Sequence, residues 1–370
     1  MKLVICSALP TSRIFGEKVD AWWYSENGFD VEFWDLAPIF IASEKLAGFY
    51  SGSENYRYQG PRHTIFSDPA ELAEALRKNA TAVFFYLSRF DRMLDDDRLI
   101  DLFNRNRIKY VFQHFDPYDP TVSFFDYPKK PLRDLRARWF SRYCDPVAVV
   151  TSGTTGRRQA AARYSSAQVI SIPSVKVLWD EGAFRERNSY AVFVDESIAF
   201  DPDAQLHQNI LCVDVDSYYR RMRELFRVVE ESLDIPVKVG CSGKYRYPDP
   251  QACFGPREVL YGETLRLVQG CSLAIGHLSL ALDQAIVSRK PVVLVDDAAF
   301  TPWRRNGFRD VIRRFRQDPM LNAEIGREQL ELAMSRDLSF YRDVEEQYFR
   351  EPGVTGDYRQ ICAAAFRTLA

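Results

Sequence analysis

Two adjacent acidic residues, Asp195 and Glu196, directly follow an apolar run at residues 191–194 and are the first candidates for catalysis. An apolar run of this length predicts a buried strand, and the strands of a parallel sheet present the residues at their carboxyl ends to ligands. Carboxylates in such positions serve as nucleophiles, general bases or charge stabilisers. The alternative is a surface carboxylate pair that caps the following segment.

A second candidate is the segment Gly276-His277-Leu278-Ser279, where an apolar run at residues 273–275 gives way to a helical pattern. The N–H groups at the start of a helix favour an anion such as phosphate, and Ser279 adds a hydroxyl. Gly276 has no Cβ and would let a ligand approach the backbone closely. His277 either hydrogen-bonds such a ligand or is a satisfied histidine beside the core.

Two further segments of the C-terminal half carry groups suited to an anionic ligand. Lys244 and Arg246 lie in a polar loop after an apolar run, where they either pair with a phosphate or sugar carboxylate or remain solvated charges. Thr264 stands at the start of another helical pattern. We expect these residues, together with Gly276, His277 and Ser279, to bind the same ligand.

The N-terminal half offers one acid–base candidate and one phosphate-loop pattern. His114 follows a predicted strand and is either a general acid/base or a buried loop histidine. Residues 151–156 read TSGTTG, as in the phosphate loop of adenylate-forming enzymes, but Arg157 and Arg158 replace the Pro-Lys that continues that loop. A helix start capped by its own hydroxyls is favoured, with an acceptor- or phosphate-contacting loop as the alternative.

No metal site or disulfide framework is predicted. Asp201 and Asp203 flank a proline, which favours a turn over a cation site. The seven cysteines are scattered without a CxxC pair.

No stretch approaches the roughly 20 apolar residues of a spanning helix, and the initial apolar run is too short for a signal peptide. A reducing cytoplasm is therefore the expected location.

Apolar runs alternate with helical patterns almost throughout the chain, which predicts parallel sheets covered by helices on both faces. The residues Tyr218, Met222, Leu225, Phe226 and Val229 share one face of such a helix. The length of 370 residues favours two domains. We predict two Rossmann-like α/β domains that face each other across a cleft, at residues 1–185 and 186–340, with a C-terminal helix at 341–370 that returns to the N-terminal domain.

From about residue 190 to 296, the chain resembles the C-terminal domain of GT-B glycosyltransferases. More narrowly, it is similar to bacterial surface-polysaccharide enzymes related to the retaining Kdo transferases, which use a CMP-activated ulosonic acid. The shared pattern consists of a strand ending in Asp195-Glu196, a Gly-x-Thr helix start at 262–264, a His-x-Ser helix start at 277–279, and Lys290-Pro291 before a strand. The resemblance implies a nucleotide-sugar donor, with a CMP-sugar favoured over UDP or GDP. It also implies that no metal is needed and that Asp195 is the nucleophile.

One position departs from this pattern, because Cys241-Ser242 stands where the related enzymes have His-Pro. Since that loop lies near the donor in the family, the departure points to a different donor, a changed reaction or lost activity. Three classes of function therefore remain open. They are a glycosyltransferase acting on a bacterial surface glycan such as lipopolysaccharide or capsule, a GT-B nucleotide-sugar epimerase or hydrolase, and a non-catalytic binding subunit.

Residues 129–142 hold six basic residues, one acidic residue and apolar residues at near-helical spacing. Such a helix is suited to an anionic membrane surface, where lipid-linked glycan acceptors lie, although an ordinary packed helix is the alternative. Residues 303–316 form a second basic cluster that could share that surface. The net charge of −2 gives no general attraction to nucleic acid, and no nucleic-acid partner is predicted.

Overall fold

The computed structural model describes residues 1–7, 20–44, 46–47, 62–88, 102–103, 105–114, 146–179, 189–198, 200, 212, 214–243 and 245–369. The chain divides into two compact units. The N-terminal unit contains Met1–Val175 together with Glu346–Ala370, and the C-terminal unit contains Lys176–Glu345.

The N-terminal unit is built on a parallel sheet with the strand order β3-β2-β1-β4-β5-β6-β7. Its strands are β1 (Lys2–Ser7), β2 (Asp30–Asp35), β3 (His63–Ile65), β4 (Val83–Ser88), β5 (Tyr110–His114), β6 (Ala148–Thr151) and β7 (Gln168–Ser171). Its helices before residue 175 include α1 (Ala21–Glu26), α2 (Ala37–Phe40), α3 (Pro69–Lys78) and α4 (Gly153–Arg163). Leu3, Val4, Ile5 and Cys6 are all fully buried, so both faces of β1 are covered, as the continuous apolar run predicts.

The C-terminal unit has a second parallel sheet, with the order β10-β9-β8-β11-β12-β13. Its strands are β8 (Ala191–Asp195), β9 (Val237–Cys241), β10 (Val259–Tyr261), β11 (Leu273–Gly276), β12 (Val292–Asp296) and β13 (Met320–Leu321). Its helices include α5 (Val215–Leu233), α6 (Pro250–Phe254), α7 (Thr264–Gly270), α8 (Asp283–Val287), α9 (Pro302–Asn306), α10 (Phe308–Phe315) and α11 (Arg327–Ser335). The order reverses between β8 and β11, which is where doubly wound sheets open a crevice at the carboxyl ends of their strands.

Helix α5 covers the centre of this second sheet. Asp214 begins the helix by accepting a hydrogen bond from the Ser217 N–H at 3.1 Å, and Asp234 ends it in the left-handed conformation. The predicted apolar face is confirmed, because all five of its residues are buried. Each large side chain buried in this way contributes roughly 1.5–3 kcal/mol to stability.

The last two helices, α12 (Tyr341–Tyr348) and α13 (Tyr358–Leu369), lead the chain back to the N-terminal unit. Phe366 packs against Tyr24 and Phe85 with ring centroids 5.8 and 5.2 Å apart, and Arg359 pairs with Asp20 at 2.8 Å.

No helix within the described ranges is long and apolar enough to cross a membrane.

The chain's own C-terminal segment covers the start of α4. The Ser152 hydroxyl donates to the Tyr348 carbonyl at 3.1 Å and does not cap the helix, contrary to the expected hydroxyl cap. Gly153 has φ +66°, and a Cβ built there would lie 2.4 Å from the Gln347 carbonyl oxygen. The TSGTTG pattern thus serves a close approach between two backbone segments.

Gly153→Ala should therefore destabilise the protein by more than about 3 kcal/mol, because the new methyl group meets backbone that cannot move independently. Gly28→Ala is the matched control, since Gly28 also has positive φ (+88°) but has nothing within 4 Å of its added Cβ. Its cost should be limited to the left-handed backbone, about 1–2 kcal/mol. Urea unfolding measures both, and equal losses would contradict the packing explanation.

Candidate active site at the carboxyl edge of the C-terminal sheet

The carboxyl ends of β8, β9, β11 and β12 bring together most of the predicted site residues. Asp195 is paired in register with Cys241, and Val194 with Gly276, so His277 follows directly on the other side of β8. This edge lies at the point where the strand order reverses, the usual ligand position in such sheets. The predicted residues Asp195, Glu196, Thr264, Gly276, His277 and Ser279 all lie on this edge or on the turns that leave it.

Asp195 is buried, with 2% of its surface exposed, and its two carboxyl oxygens have different surroundings. Oδ2 accepts hydrogen bonds from the Tyr247 hydroxyl at 2.8 Å and from the Ser197 N–H at 3.1 Å. Oδ1 is also buried but has no hydrogen-bond partner among the described residues. A buried oxygen without a partner is costly, by roughly 1–3 kcal/mol, and is therefore a candidate contact for a bound ligand.

Burial raises the pKa of Asp195 to about 6, because desolvation disfavours the charged carboxylate more than the neighbouring donors Tyr247, Ser197 and the Cys241 thiol favour it. The thiol of Cys241 lies against the same carboxyl, and burial keeps that thiol protonated by raising its pKa. The residue that departs from the related enzymes' His-Pro is therefore a direct neighbour of the candidate nucleophile.

Glu196 has a different environment from Asp195. Its Oε1 accepts a hydrogen bond from the Leu278 N–H at 2.6 Å, and its Oε2 pairs with the guanidinium of Arg304, which is itself 9% exposed. Glu196 thus joins the end of β8 to the turn after β11 and to α9. One of the N–H groups expected to bind phosphate after Gly276 is therefore occupied by this carboxylate.

His277 is fully buried, and both of its ring nitrogens have partners. Nδ1 lies 2.6 Å from the Val295 carbonyl and must donate to it, so in the neutral ring Nε2 accepts from the Tyr218 hydroxyl at 3.0 Å. Burial lowers the pKa of the imidazole, which favours this neutral form. The expectation that the His277 side chain contacts the donor does not fit this structure, because the ring has no nitrogen left for a ligand.

The other residues predicted to bind the nucleotide-sugar donor differ in the contacts that their side chains already make. A Cβ at Gly276 would meet Leu282 at 3.2 Å, so this glycine allows close packing against that side chain. The Thr264 hydroxyl donates to the Cys241 carbonyl at 3.2 Å, and the Ser279 hydroxyl accepts from the Ala281 N–H at 3.2 Å. Arg246 is exposed, with its guanidinium 5.0 Å from the centre of the Tyr261 ring.

A second buried aspartate, Asp297, lies just beyond β12 and is fully satisfied. It pairs with the guanidinium of Arg221 through both oxygens and also accepts from the Ala299 N–H at 2.8 Å and the Asn322 amide at 2.7 Å. No sequence pattern indicated this contact. Asp297 joins the end of β12 to α5 and to the turn that follows β13, in contrast to Asp195.

Several predicted features lie outside the described residues, namely Lys244, Asp201, Asp203 and residues 129–142. His114 ends β5 in the N-terminal unit, and its side chain is not described. Within the described ranges, no group of three or more His, Cys, Asp or Glu side chains could hold a metal ion.

The second basic cluster, at residues 303–316, is described and is not a free positive surface. Five of its six arginines pair with carboxylates of the same unit: Arg304 with Glu196, Arg305 with Asp296, Arg313 with Asp310, Arg314 with Asp283 and Arg316 with Asp343. The expectation that this cluster adds to a membrane-binding surface is therefore not supported.

Sequence reasoning missed Tyr219, Tyr247, Arg304 and Asp297 as components of this edge. Tyr219 lies beside the predicted apolar face of α5, and Arg304 belongs to the basic cluster at residues 303–316. Aromatic and basic residues are common in such segments, so their spacing carried no signal for these long-range contacts.

No protein-family model matches the sequence, and a search of curated proteins finds no significant match. Solved structures do match over the whole chain. UDP-GlcNAc 2-epimerase from Methanocaldococcus jannaschii superposes with a TM-score of 0.53 at 11% identity, covering 100% of both chains. The glycosyltransferase SnogD from Streptomyces nogalater gives 0.50 at 11% identity, covering 100% of this chain and 99% of the other. S. aureus MnaA in complex with UDP gives 0.50 at 10% identity, covering 100% and 96%.

These similarities establish the fold. The two parallel α/β sheets and their helices form the GT-B architecture predicted from the sequence, which transferases and epimerases share. At identities near 10%, they do not establish which reaction this chain performs.

The environment of Asp195 predicts an unusual dependence of stability on pH. The pKa of an aspartate in an unfolded chain is about 3.9, whereas the pKa of native Asp195 is about 6. Between these two pH values the native state holds a proton that the unfolded state has lost. The stabilisation from protonated Asp195 is therefore lost as the pH rises through 6. Asp195→Asn is neutral at every pH and should be more stable than the wild type at pH 7.5, by about 1–3 kcal/mol, with the advantage shrinking towards pH 5.

Urea unfolding of both proteins from pH 5 to 8 measures this difference. Asp297→Asn is the matched control, because the carboxyl of Asp297 pairs with Arg221 and accepts hydrogen bonds on both oxygens. That variant should lose stability at pH 7.5. Parallel curves for the wild type and Asp195→Asn would contradict the burial cost assigned to Asp195.

Proposed function

We propose that this chain is a glycosyltransferase that transfers a sugar from a nucleotide donor, bound at the carboxyl edge of the C-terminal sheet, to a bacterial surface glycan or lipid-linked glycan. The observation that carries this proposal is the Asp195 carboxyl, which lies where the strand order reverses in a GT-B fold and leaves Oδ1 without a partner. Transferases with this architecture are among the structures it matches.

In this proposal Asp195 acts on the anomeric carbon through Oδ1. A sugar that leaves a nucleotide develops positive charge at that carbon, and an ionised carboxylate beneath it stabilises the charge or forms a covalent bond. Since only 2% of Asp195 is exposed, donor binding must open a path to Oδ1. Glu196 is a positioning residue for the turn after β11, and His114 remains a candidate acid/base on the acceptor side.

The donor phosphates would lie near the turn after β11, beside Ser279 and the start of α7 at Thr264. The exposed guanidinium of Arg246, and Lys244 beyond the described residues, would supply positive charge for a phosphate or sugar carboxylate. A CMP-sugar, such as a CMP-activated ulosonic acid, remains the favoured donor because of the sequence resemblance. A UDP-sugar is the next candidate, since one structural neighbour was solved with UDP.

A nucleotide-sugar epimerase is the second candidate, and one observation favours it. Epimerisation beside an activated centre needs a group that removes and returns a proton, and the pKa of Asp195, raised by burial to about 6, suits that exchange near neutral pH. Epimerases are also among the structures that share this fold. The third class, a non-catalytic subunit, is favoured by Cys241-Ser242 in place of His-Pro.

Incubation with CMP-, UDP- and GDP-sugars in deuterium oxide separates these functions. A transferase should release free nucleotide, by transfer or slow hydrolysis, and leave unlabelled donor. Asp195→Asn should still bind the donor but turn it over about 10³-fold more slowly, because the charge beneath the anomeric carbon is gone. Deuterium in recovered sugar nucleotide without net release would establish the epimerase instead, and donor binding without any turnover would establish the binding subunit.

We also propose that residues 129–142 hold the enzyme at an anionic membrane surface, where lipid-linked acceptors are found. The wild type should bind anionic vesicles in a sedimentation assay and dissociate as salt screens the attraction. Replacing Arg133, Arg136 and Arg138 with Glu should abolish binding without unfolding the protein.

A variant with the same change in charge provides the control. Arg62, Arg77 and Arg158 are exposed arginines of the N-terminal unit outside this segment. Their replacement with Glu should leave most vesicle binding intact. Equal loss in the two triple variants would show that net charge, and not residues 129–142, governs the association.

A further inference from the structure

The hydroxyl of Tyr247 lies between two other buried oxygens of the candidate site. It is 2.8 Å from Asp195 Oδ2 and 2.9 Å from the Tyr219 hydroxyl. An ionised carboxylate can only accept, so Tyr247 donates to Oδ2 and Tyr219 donates to Tyr247. Hydrogen bonds aligned in this way polarise one another and strengthen the bond that reaches the charge.

Three elements of the C-terminal unit hold Tyr247 in place. Its backbone N–H donates to the Tyr261 hydroxyl at 3.2 Å, which connects it to β10. Its ring packs edge-on against Phe254 of α6 and Tyr219 of α5, with centroids 5.0 and 6.1 Å away. The ring of Tyr247 is therefore fixed independently of its hydroxyl, and loss of the hydroxyl alone should leave it in position.

The two carboxyl oxygens of Asp195 differ in their hydrogen bonds. Tyr247 and Ser197 both bind Oδ2, whereas Oδ1 has no described partner. Rotation of the carboxyl plane out of this orientation would break the bond to Tyr247, so this bond fixes the position of the second oxygen, which has no described partner. Ser197 reinforces the arrangement from a left-handed backbone conformation, φ +52°, that turns its N–H towards the carboxyl.

We propose that Tyr247, supported by Tyr219, is a positioning residue that fixes Asp195 through Oδ2 so that Oδ1 meets the sugar. This inference rests on the proposed role of Asp195 in turnover. Tyr247 itself touches no substrate in this arrangement, and its contribution is to hold the carboxylate in one orientation and to favour its ionised form.

Among the groups that surround Asp195, Asp195 itself is the main one that titrates below pH 8. Burial raises the pKa of the Tyr218, Tyr219 and Tyr247 hydroxyls, and likewise the pKa of the Cys241 and Cys253 thiols, so all five are neutral below pH 8. Burial lowers the pKa of His277, which favours the neutral imidazole. Glu196 adds a negative charge that raises the pKa of Asp195.

Tyr247→Phe removes the hydroxyl and keeps the ring. Because that hydroxyl favours ionised Asp195, its loss should move the acid limb of the pH profile of kcat/KM for donor turnover upward by about one pH unit. Activity at pH 6 should fall about fivefold, and by up to about tenfold at lower pH, while activity at pH 8.5 changes far less. Tyr219→Phe should shift the limb in the same direction by a smaller amount.

Tyr218→Phe is the matched control, because Tyr218 neighbours Tyr219 on the same helix but bonds His277. Its acid limb should stay at the wild-type position. A second measurement does not depend on activity. The wild type loses stability relative to Asp195→Asn over a certain pH range, and Tyr247→Phe should lose stability relative to Tyr247→Phe/Asp195→Asn over a range with a higher pH midpoint.

The outcomes separate the two proposals. An unchanged midpoint and acid limb in folded Tyr247→Phe would overturn the role of Tyr247, while the loss of turnover in Asp195→Asn would still support the proposed function. A shifted midpoint with an unshifted acid limb would show that Asp195 does not control turnover, which would overturn both.

Discussion

The rest of this candidate site depends on the desolvation of one carboxyl, that of Asp195, at the end of a fully apolar strand. Val192, Phe193 and Val194 are completely buried, and the chain carries Asp195 into the same low-dielectric layer before it turns. An ionised group there is stable only with strong donors nearby. Tyr247 and Ser197 supply them on one oxygen, and the other oxygen is buried without a described partner at the point where the strand order reverses.

The three acidic residues at this edge show how environment assigns different roles to the same chemistry. Asp297 is paired with Arg221, and Glu196 is paired with Arg304 and a backbone N–H, so both stabilise connections between elements. Asp195 has no cationic partner among the described residues and retains an unsatisfied oxygen. A carboxylate that is destabilised in its charged form but held in one orientation suits the role proposed for Asp195.

Helix α5 connects these features because two adjacent tyrosines point to different neighbours. Tyr218 donates to His277 and fixes the turn after β11, whereas Tyr219 reaches Tyr247 and, through it, Asp195. Residues i and i+1 lie about 100° apart around a helix, so one helix can support two sides of a site. The apolar face of α5 that packs on the sheet thus also orients the polar groups at its edge.

The sequence alone predicted most of the strands, although not the short edge strands β3, β10 and β13, and it predicted where along the chain the candidate site lies. Apolar runs such as residues 191–194 predicted buried parallel strands, and a residue at the end of such a strand necessarily lies at the carboxyl edge of the sheet. Local periodicity carries this information because it reflects which faces are buried. The GT-B architecture followed from that pattern together with the sequence resemblance.

Only the tertiary structure decided what each residue at the edge does. The bond from Glu196 to Arg304 joins residues 108 positions apart, and the bond from Asp195 to Tyr247 joins residues 52 positions apart. No local pattern encodes such distances, so His277 and Gly276 looked available for a ligand although packing occupies them. The charge state and reactivity of a side chain depend on its neighbours in space, and those neighbours are fixed only when the whole sheet has assembled.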